Sequence, residues 1–273
     1  MLGPARKRVL GLIADWPWIA PADLGALLGV SARQTSQLLQ PLREASLVAR
    51  VEGRLVLSDR GLALLARRDR SAANLALRRW SARRRDPHAP LTWRNVTGRR
   101  SRQLVRTIEH TAAVHGFAAA LAGQAREEGW EIEQLDPPHR ASRYFRYRDR
   151  LHSVHPDAFG LLRREGERRA FFLEWERRAV RPSTMAARLA PYLRYYASQR
   201  PTDDHGLRPE VLVVFEDEIA ADHFRRVARE QMERARVDLP LRVAPLALLE
   251  REGPLGAAWR SPTKRVSGYL GWA

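Results

Sequence analysis

The sequence predicts an α+β protein of two domains, a small helical domain closed by a β-hairpin and a larger α/β sandwich built on a mixed sheet. Three observations carry this. The first 70 residues hold three short amphipathic segments, then two strand runs around Glu52-Gly53. Residues 71–107 break that pattern with ten arginines and one Asp, and Asp86-Pro87-His88-Ala89-Pro90 stops any helix there. From Ile108 onward helical and strand periods alternate, with Phe171-Phe172-Leu173 and Val211-Leu212-Val213-Val214-Phe215 as the clearest strands. The expected boundaries are therefore 1–70, an Arg-rich helical linker over 71–107, and 108–273.

Composition narrows the classes. A chain of 273 residues with 44% hydrophobic content has room for two cores and is not a disordered protein. No apolar run is long enough to span a membrane. Arg6-Lys7-Arg8 is followed by an apolar stretch cut at Asp15, too short for a secretory signal. The absence of Cys excludes disulfides and thiolate metal sites, and a cytoplasmic location is expected. The net charge of +17 is concentrated in the Arg-rich middle, which suits a polyanionic partner.

In chain order, residues 4–15 form a first helix with Val9, Leu10, Leu12 and Ile13 on its apolar side. Ala20-Pro21-Ala22-Asp23 opens a second, with Leu24, Leu27 and Leu28 inward and Gly29 as its stop. Ser31 suits the N-cap of a third helix that runs to about Ala45 and buries Leu38, Leu39 and Leu42. Pro41 removes one of its backbone hydrogen bonds and is expected to bend its second half. Two strands, 47–51 and 54–57, make the hairpin, and Ser58-Asp59-Arg60-Gly61 leads into a fourth helix.

This succession resembles the winged helix-turn-helix of bacterial regulators over residues 5–68, most specifically in the run "GRLVLSDRGLALL" that begins at Gly53. The resemblance implies that the N-terminal half of the third helix enters the major groove of double-stranded DNA. It offers Arg33, Gln34, Thr35 and Gln37. Arg pairs with guanine and Gln with adenine through two hydrogen bonds each. Arg50 and Arg54 on the hairpin would meet phosphates, which fixes register without reading sequence. The alternative is a domain of the same shape used for dimerisation or protein contact. In the middle segment Arg83, Arg84, Arg85, Arg99 and Arg100 are candidates for backbone contact, while Trp80 and Trp93 are expected to pack on folded neighbours.

The C-terminal part reads as a helix to about Gly129, with His110 as a packing residue on its apolar face, then a strand over 130–135 and an extended piece at 144–147. Two strands follow, from His155 and from Phe171, joined through a charged turn within 163–169. A helix from Ser183 to about Ser198 turns Met185, Leu189, Tyr192, Leu193 and Tyr196 inward, so the tyrosines read as core. The strand 209–215, a helix capped by Asp217 and an edge strand at 241–243 complete the order. His152 and His155 lack the ligand spacing of a zinc site. Trp259, Arg260, Lys264, Arg265, Tyr269 and Trp272 are expected to be surface packing.

The oddity lies on the second of the paired strands. Alternation places Ala170, Phe172, Glu174 and Glu176 on one face. Two carboxylates on an apolar strand are costly unless paired or bound to a metal. They stand roughly 7 Å apart along the strand, and Asp157 at the head of the neighbouring strand can converge on them. Such oxygen ligands suit Mg²⁺ or Mn²⁺, with Asp157 and Glu174 as the metal-binding pair.

The element order, with Pro156-Asp157 and Glu174-Trp175-Glu176, resembles the PD-(D/E)xK nuclease superfamily. More narrowly, a winged helix followed by "RTIEHTAAVHGFAAAL", "HPDAF", "FFLEWE" and "AARLAPYLRYY" resembles the replication-relaxation family of plasmid and mobile-element proteins, over most of the chain. The resemblance implies a catalytic set of Asp157, Glu174 and Glu176, with Arg188 as a substitute charge stabiliser. The pattern departs at Glu176, which stands where the superfamily has its Lys, and no Lys lies between Lys7 and Lys264. Arg cannot act as the general base. The expected function is a DNA-binding protein of replication or relaxation type whose second domain acts on or holds DNA. The alternatives are a Mg²⁺-dependent endonuclease or nickase, and a transcriptional repressor that forms a homodimer through its C-terminal domain.

Overall fold

A computed structural model of the chain describes residues 2–176 and 182–263, with only the backbone of Pro182 and Ser183. The chain is α+β and divides into two compact units, Met1–Gly123 and Gln124–Ala273.

The first unit opens with α1 (Pro4–Asp15), α2 (Pro21–Leu28) and α3 (Ala32–Glu44). Pro at the first turn of α1 and α2 occupies a position whose N–H has no helical partner anyway. Gly29, at φ 71°, takes the left-handed conformation that ends α2. Ser31 caps α3 reciprocally: Gln34 N–H donates to its hydroxyl, and Ser31 N–H donates to the Gln34 side chain. The helix runs through Pro41 to Glu44. A Cβ on Gly25 would sit 2.7 Å from Thr35 Oγ1, so glycine is what lets α2 approach α3 this closely.

β1 (Val48–Val51) and β2 (Arg54–Leu57) form an antiparallel hairpin, and an isolated bridge from Ile19 to Leu55 adds a third short edge. α4 (Asp59–Arg68) follows, capped by Ser58. Val9, Leu10, Ile13, Trp16, Leu24, Leu42 and Leu55 are all buried, which makes these elements one core.

Residues 71–107, expected as a linker, fold into this unit. α5 (Ala73–Trp80) and α6 (Arg99–Arg106) flank a short antiparallel ladder. In it Arg85 N–H donates to Asn95 (2.8 Å), Thr97 N–H to Arg83 (3.0 Å) and Gly98 N–H to Ser81 (2.9 Å). Ala82, Val96 and Val105 share a cluster with Trp18 and Val56, while Leu91 N–H donates to the Glu52 carboxylate at 3.0 Å. Burying these few apolar side chains is what converts an arginine-rich stretch into folded structure. α7 (Ile108–Glu127) also belongs to this unit as far as Gly123.

The second unit contains β3 (Glu131–Asp136), α8 (Pro138–Ala141), β4 (Arg143–Tyr147), β5 (Arg150–Val154), β6 (Ala158–Arg164) and β7 (Glu167–Glu176). It continues with α9 (Pro182–Tyr196), α10 (Arg200–His205), β8 (Glu210–Phe215), α11 (Glu218–Ala235), β9 (Leu241–Pro245) and α12 (Leu246–Glu252). Five strands form a mixed sheet in the order β3-β6-β7-β8-β9, antiparallel from β3 to β7 and parallel from β7 to β9. β4 and β5 make a separate hairpin.

The paired strands differ from expectation in their limits. β6 starts at Ala158 rather than His155, and the turn contracts to Glu165-Gly166, both at positive φ. Cross-strand charges extend the pairing: Arg163 contacts Glu131 and Glu133, and Arg168 contacts Glu133. Gly160 stands opposite Phe171, whose ring occupies the space a Cβ would need, at 2.2 Å.

One face of the sheet is covered by helices. Phe159, Leu161, Phe172, Val211, Val213 and Val243 cluster with Met185, Leu189 and Tyr192 of α9 and with Phe224 and Val227 of α11. Phe172 faces these helices, so Glu174 and Glu176 do too, as alternation requires.

Candidate nucleic-acid interface and carboxylate site

The α3 face is the first candidate. Arg33, Gln34 and Gln37 are exposed, as expected for a reading surface. Thr35 is a correction, being only 2% exposed and donating its hydroxyl to the Ser31 carbonyl at 2.9 Å, so it supports the helix from inside. Gln34 is engaged in the N-cap. Sequence reasoning missed Ser36 and Gln40, which are exposed and, with Arg33 and Gln37, follow the spacing of one helical face. Gln40 also donates to Glu44 at 2.9 Å.

The hairpin arginines divide. Arg50 is exposed and its Nε donates back to the Gly53 carbonyl. Arg54 is turned inward and donates to the Trp18 carbonyl at 3.1 Å, a structural role in place of the expected phosphate contact. His115, not singled out in the sequence, is 4% exposed and meets the Trp16 ring edge-on. Burial, and secondarily Arg54, pulls its pKa down to about 3, so it is a neutral core residue. His110 is only half-buried.

The arginine-rich segment forms a basic cleft of about 560 Å³ lined by Arg78, Arg83, Arg84 and Arg85 with Asp59, Ser81 and Thr97. Arg84 donates to the Ala89 carbonyl. Arg99 is exposed, whereas Arg100 is half-buried and donates to Gln103. Trp93, expected to pack on a neighbour, is 40% exposed with the guanidinium groups of Arg94 and Arg106 at 5.2 and 5.6 Å from its ring.

The second candidate is the carboxylate site of the second unit. β6 and β7 run antiparallel with Ala158 opposite Leu173, and Asp157 N–H donates to the Leu173 carbonyl, so Asp157 extends the pairing opposite Glu174. Trp175 N–H donates to Asp157 Oδ2 at 2.8 Å. Tyr192 on α9 donates its hydroxyl to Glu174 Oε1 at 2.6 Å. The tyrosines are core as expected, and this one also reaches the site. Desolvation first, and the facing Asp157 second, push the Glu174 pKa up to about 8, against the opposing pull of Tyr192 and Arg188. Glu176 is 6% exposed and ion-paired with Arg188. Arg177 and Arg178, which follow Glu176 in the sequence, lie outside the described residues.

The donor chemistry suits a hard cation. Two carboxylates facing each other are what Mg²⁺ or Mn²⁺ accepts while keeping waters for phosphate oxygens. Glu176 is already neutralised by Arg188, and among the described residues no group of three or more acidic or imidazole side chains is arranged to hold a metal. Asp157 and Glu174 are then the two carboxylates that could meet such a cation. His155 is held between the hydroxyls of Ser153 (2.8 Å) and Ser142 (3.0 Å), which is a structural arrangement. Trp259 is buried and donates to Pro254, whereas Lys264, Arg265, Tyr269 and Trp272 lie outside the described residues. No helix among the described residues is long and apolar enough to cross a membrane.

No curated protein and no solved structure matches the chain. The family model described as replication-relaxation matches residues 19–211, a span that takes in the α3 face, the basic cleft and the whole carboxylate site. With well over half of its length matched, the chain belongs to the replication-relaxation family.

Proposed function

We propose that the first unit is a winged helix-turn-helix that binds duplex DNA with α3 in the major groove, and that the second unit, a PD-(D/E)xK-like sheet, holds that DNA. Family membership supports a role in replication or relaxation. The observation that carries DNA binding is the α3 face: Arg33, Ser36, Gln37 and Gln40 stand exposed beside the exposed Arg50. The basic cleft of the same unit supplies cations for phosphate contact.

Affinity for duplex DNA measured against salt tests this. Each phosphate neutralised is expected to add about −0.9 to the log–log slope, so a flat dependence rejects it. Arg33→Ala and Gln37→Ala are each expected to cost about 1–3 kcal/mol at a specific site and little on random duplex.

A second reading, a metal-dependent nickase, is favoured by the facing Asp157 and Glu174. Mg²⁺ or Mn²⁺ held by this pair would lower the pKa of a bound water and stabilise the leaving oxygen. Because Glu174 must first lose its proton, metal binding on this reading strengthens with pH. Supercoiled plasmid at pH 8.5 is then expected to be nicked by the natural chain with Mg²⁺, and to stay supercoiled with Asp157→Asn or Glu174→Gln. Intact plasmid at high concentrations of the natural chain rejects the reading.

A further inference from the structure

The β4–β5 hairpin takes no part in the sites above. Its inner side is anchored: Phe145 and Val154 belong to the core cluster, and the Phe145 ring meets Tyr195 at 5.1 Å. Its outer side is open in an unusual way. Tyr144 is 64% and Leu151 71% exposed, two large apolar side chains left in water. The register pairs Tyr144 with Ser153 and Arg146 with Leu151, so these four alternate onto the same face.

The charge around them is mainly positive. Arg146 on this face and Arg148 at the turn are exposed and in no ion pair among the described residues, Arg150 alternates onto the inner side opposite Tyr147, and Asp149 is the single acid between Ser142 and Pro156. Arg148 and Asp149 form the two-residue turn, both at positive φ, where Gly or Asn would be relaxed. The chain thus holds a guanidinium at the tip against a modest backbone cost.

The ring is also positioned. Tyr144 meets His155 edge-on at 5.8 Å, and both nitrogens of that imidazole are fixed by the hydroxyls of Ser153 and Ser142. An exposed, oriented aromatic ring among cations is the chemistry by which single-stranded nucleic acid is held, with bases stacking on the ring while phosphates meet the arginines. The hairpin leads directly, through His155 and Pro156, into Asp157.

We infer that the outer face of the β4–β5 hairpin binds unpaired DNA, with bases stacked on Tyr144 beside Leu151 and phosphates held by Arg146 on that face and by Arg148 at the turn. This rests on the DNA-binding reading and gives the second unit its substrate form, a strand already separated from its complement. A strand held there runs next to the residues that precede the carboxylates.

Fluorescence anisotropy with the full chain tests it. The probes are a labelled oligothymidylate of about 15 nucleotides, an abasic phosphodiester of the same length, and a labelled duplex. Tyr144→Ala is expected to weaken oligothymidylate binding about tenfold, while Tyr144→Phe keeps the ring and the affinity. Abasic and duplex binding should be unchanged by either, because the side chain is mostly in water and no core contact is lost. Arg146→Ala and Arg148→Ala should each reduce the single-strand salt slope by about 0.7. The inference is overturned if Tyr144→Ala binds oligothymidylate as tightly as the natural chain, or if the natural chain binds it no better than the abasic probe. In either case, retained duplex affinity leaves the DNA-binding reading standing, whereas loss of binding to every probe removes both.

Discussion

At pH 8.5 the Glu174→Gln protein is expected to resist urea better than the natural chain, by about 3 kcal/mol in the unfolding of the second unit. The cause is the carboxylate's environment. Glu174 is half-buried, faces Asp157 across the β6–β7 pair and accepts from Tyr192, so its folded-state pKa stands at about 8, above the usual carboxylate value. The folded protein therefore keeps a proton that the unfolded chain releases. The stability this proton supplies is fully present below the unfolded pKa, falls as pH rises through the window up to about 8, and is gone above it. The penalty is shared between the two facing carboxylates, which leaves about 3 kcal/mol for the removal of this one charge. Gln mimics the protonated form, retaining an acceptor for Tyr192 and presenting a donor to Asp157. Urea midpoints at pH 5.5, 7 and 8.5 check this, and parallel profiles for the two proteins would refute it.

Removing the Arg188 guanidinium, as in Arg188→Met, is expected to cost about 2 kcal/mol. Glu176 is 6% exposed, and its carboxylate would lose its partner while remaining out of water. Because half of Arg188 is exposed, the loss falls below the 3–5 kcal/mol typical of a fully buried pair. The double variant Glu176→Gln with Arg188→Met should recover most of the stability, since no charge is then stranded. Arg188 also pulls the Glu174 pKa down, so Arg188→Met is expected to move the pH window described above upward. A cycle of the four proteins in urea measures the coupling, and a single variant as stable as the natural chain would show that Glu176 finds other compensation.

The parts of this chain that periodicity made visible are those whose apolar residues repeat cleanly. α1 to α3, the first hairpin, β8 and α11 lie close to where their patterns place them. The misses share a physical cause, in that charged side chains occupied positions where packing or pairing was taking place. α6 is an arginine run with only Ser101 and Val105 buried. β4 lies where an extended piece was expected at 144–147, but its partner β5 was missed, with Arg and His among its inward residues. β6 and β7 extend beyond their apolar segments because Arg163 and Arg168 meet glutamates of β3, a partner that no local window contains.

The candidate sites were legible in the same uneven way. Asp157 and Glu174 were found from alternation and position, and they do face each other. Tyr192 as the donor to Glu174, and the inward turn of Arg54 and Thr35, depend on contacts between elements distant in sequence. The capping signals at Ser31 and Asp217 predicted side-chain contacts from local sequence alone.

Gly160 has a further consequence. It stands three residues along β6 from Asp157, and Phe171 stands three residues along β7 from Glu174, with the aromatic ring seated over the glycine. The seat acts as a mechanical detent on the sliding of one strand past the other. A slip by a single residue would drive the side chain of Phe159 or Leu161 into the ring and would turn the carboxylates away from each other. The acidic pair is thus indexed by an apolar notch that takes no part in its chemistry.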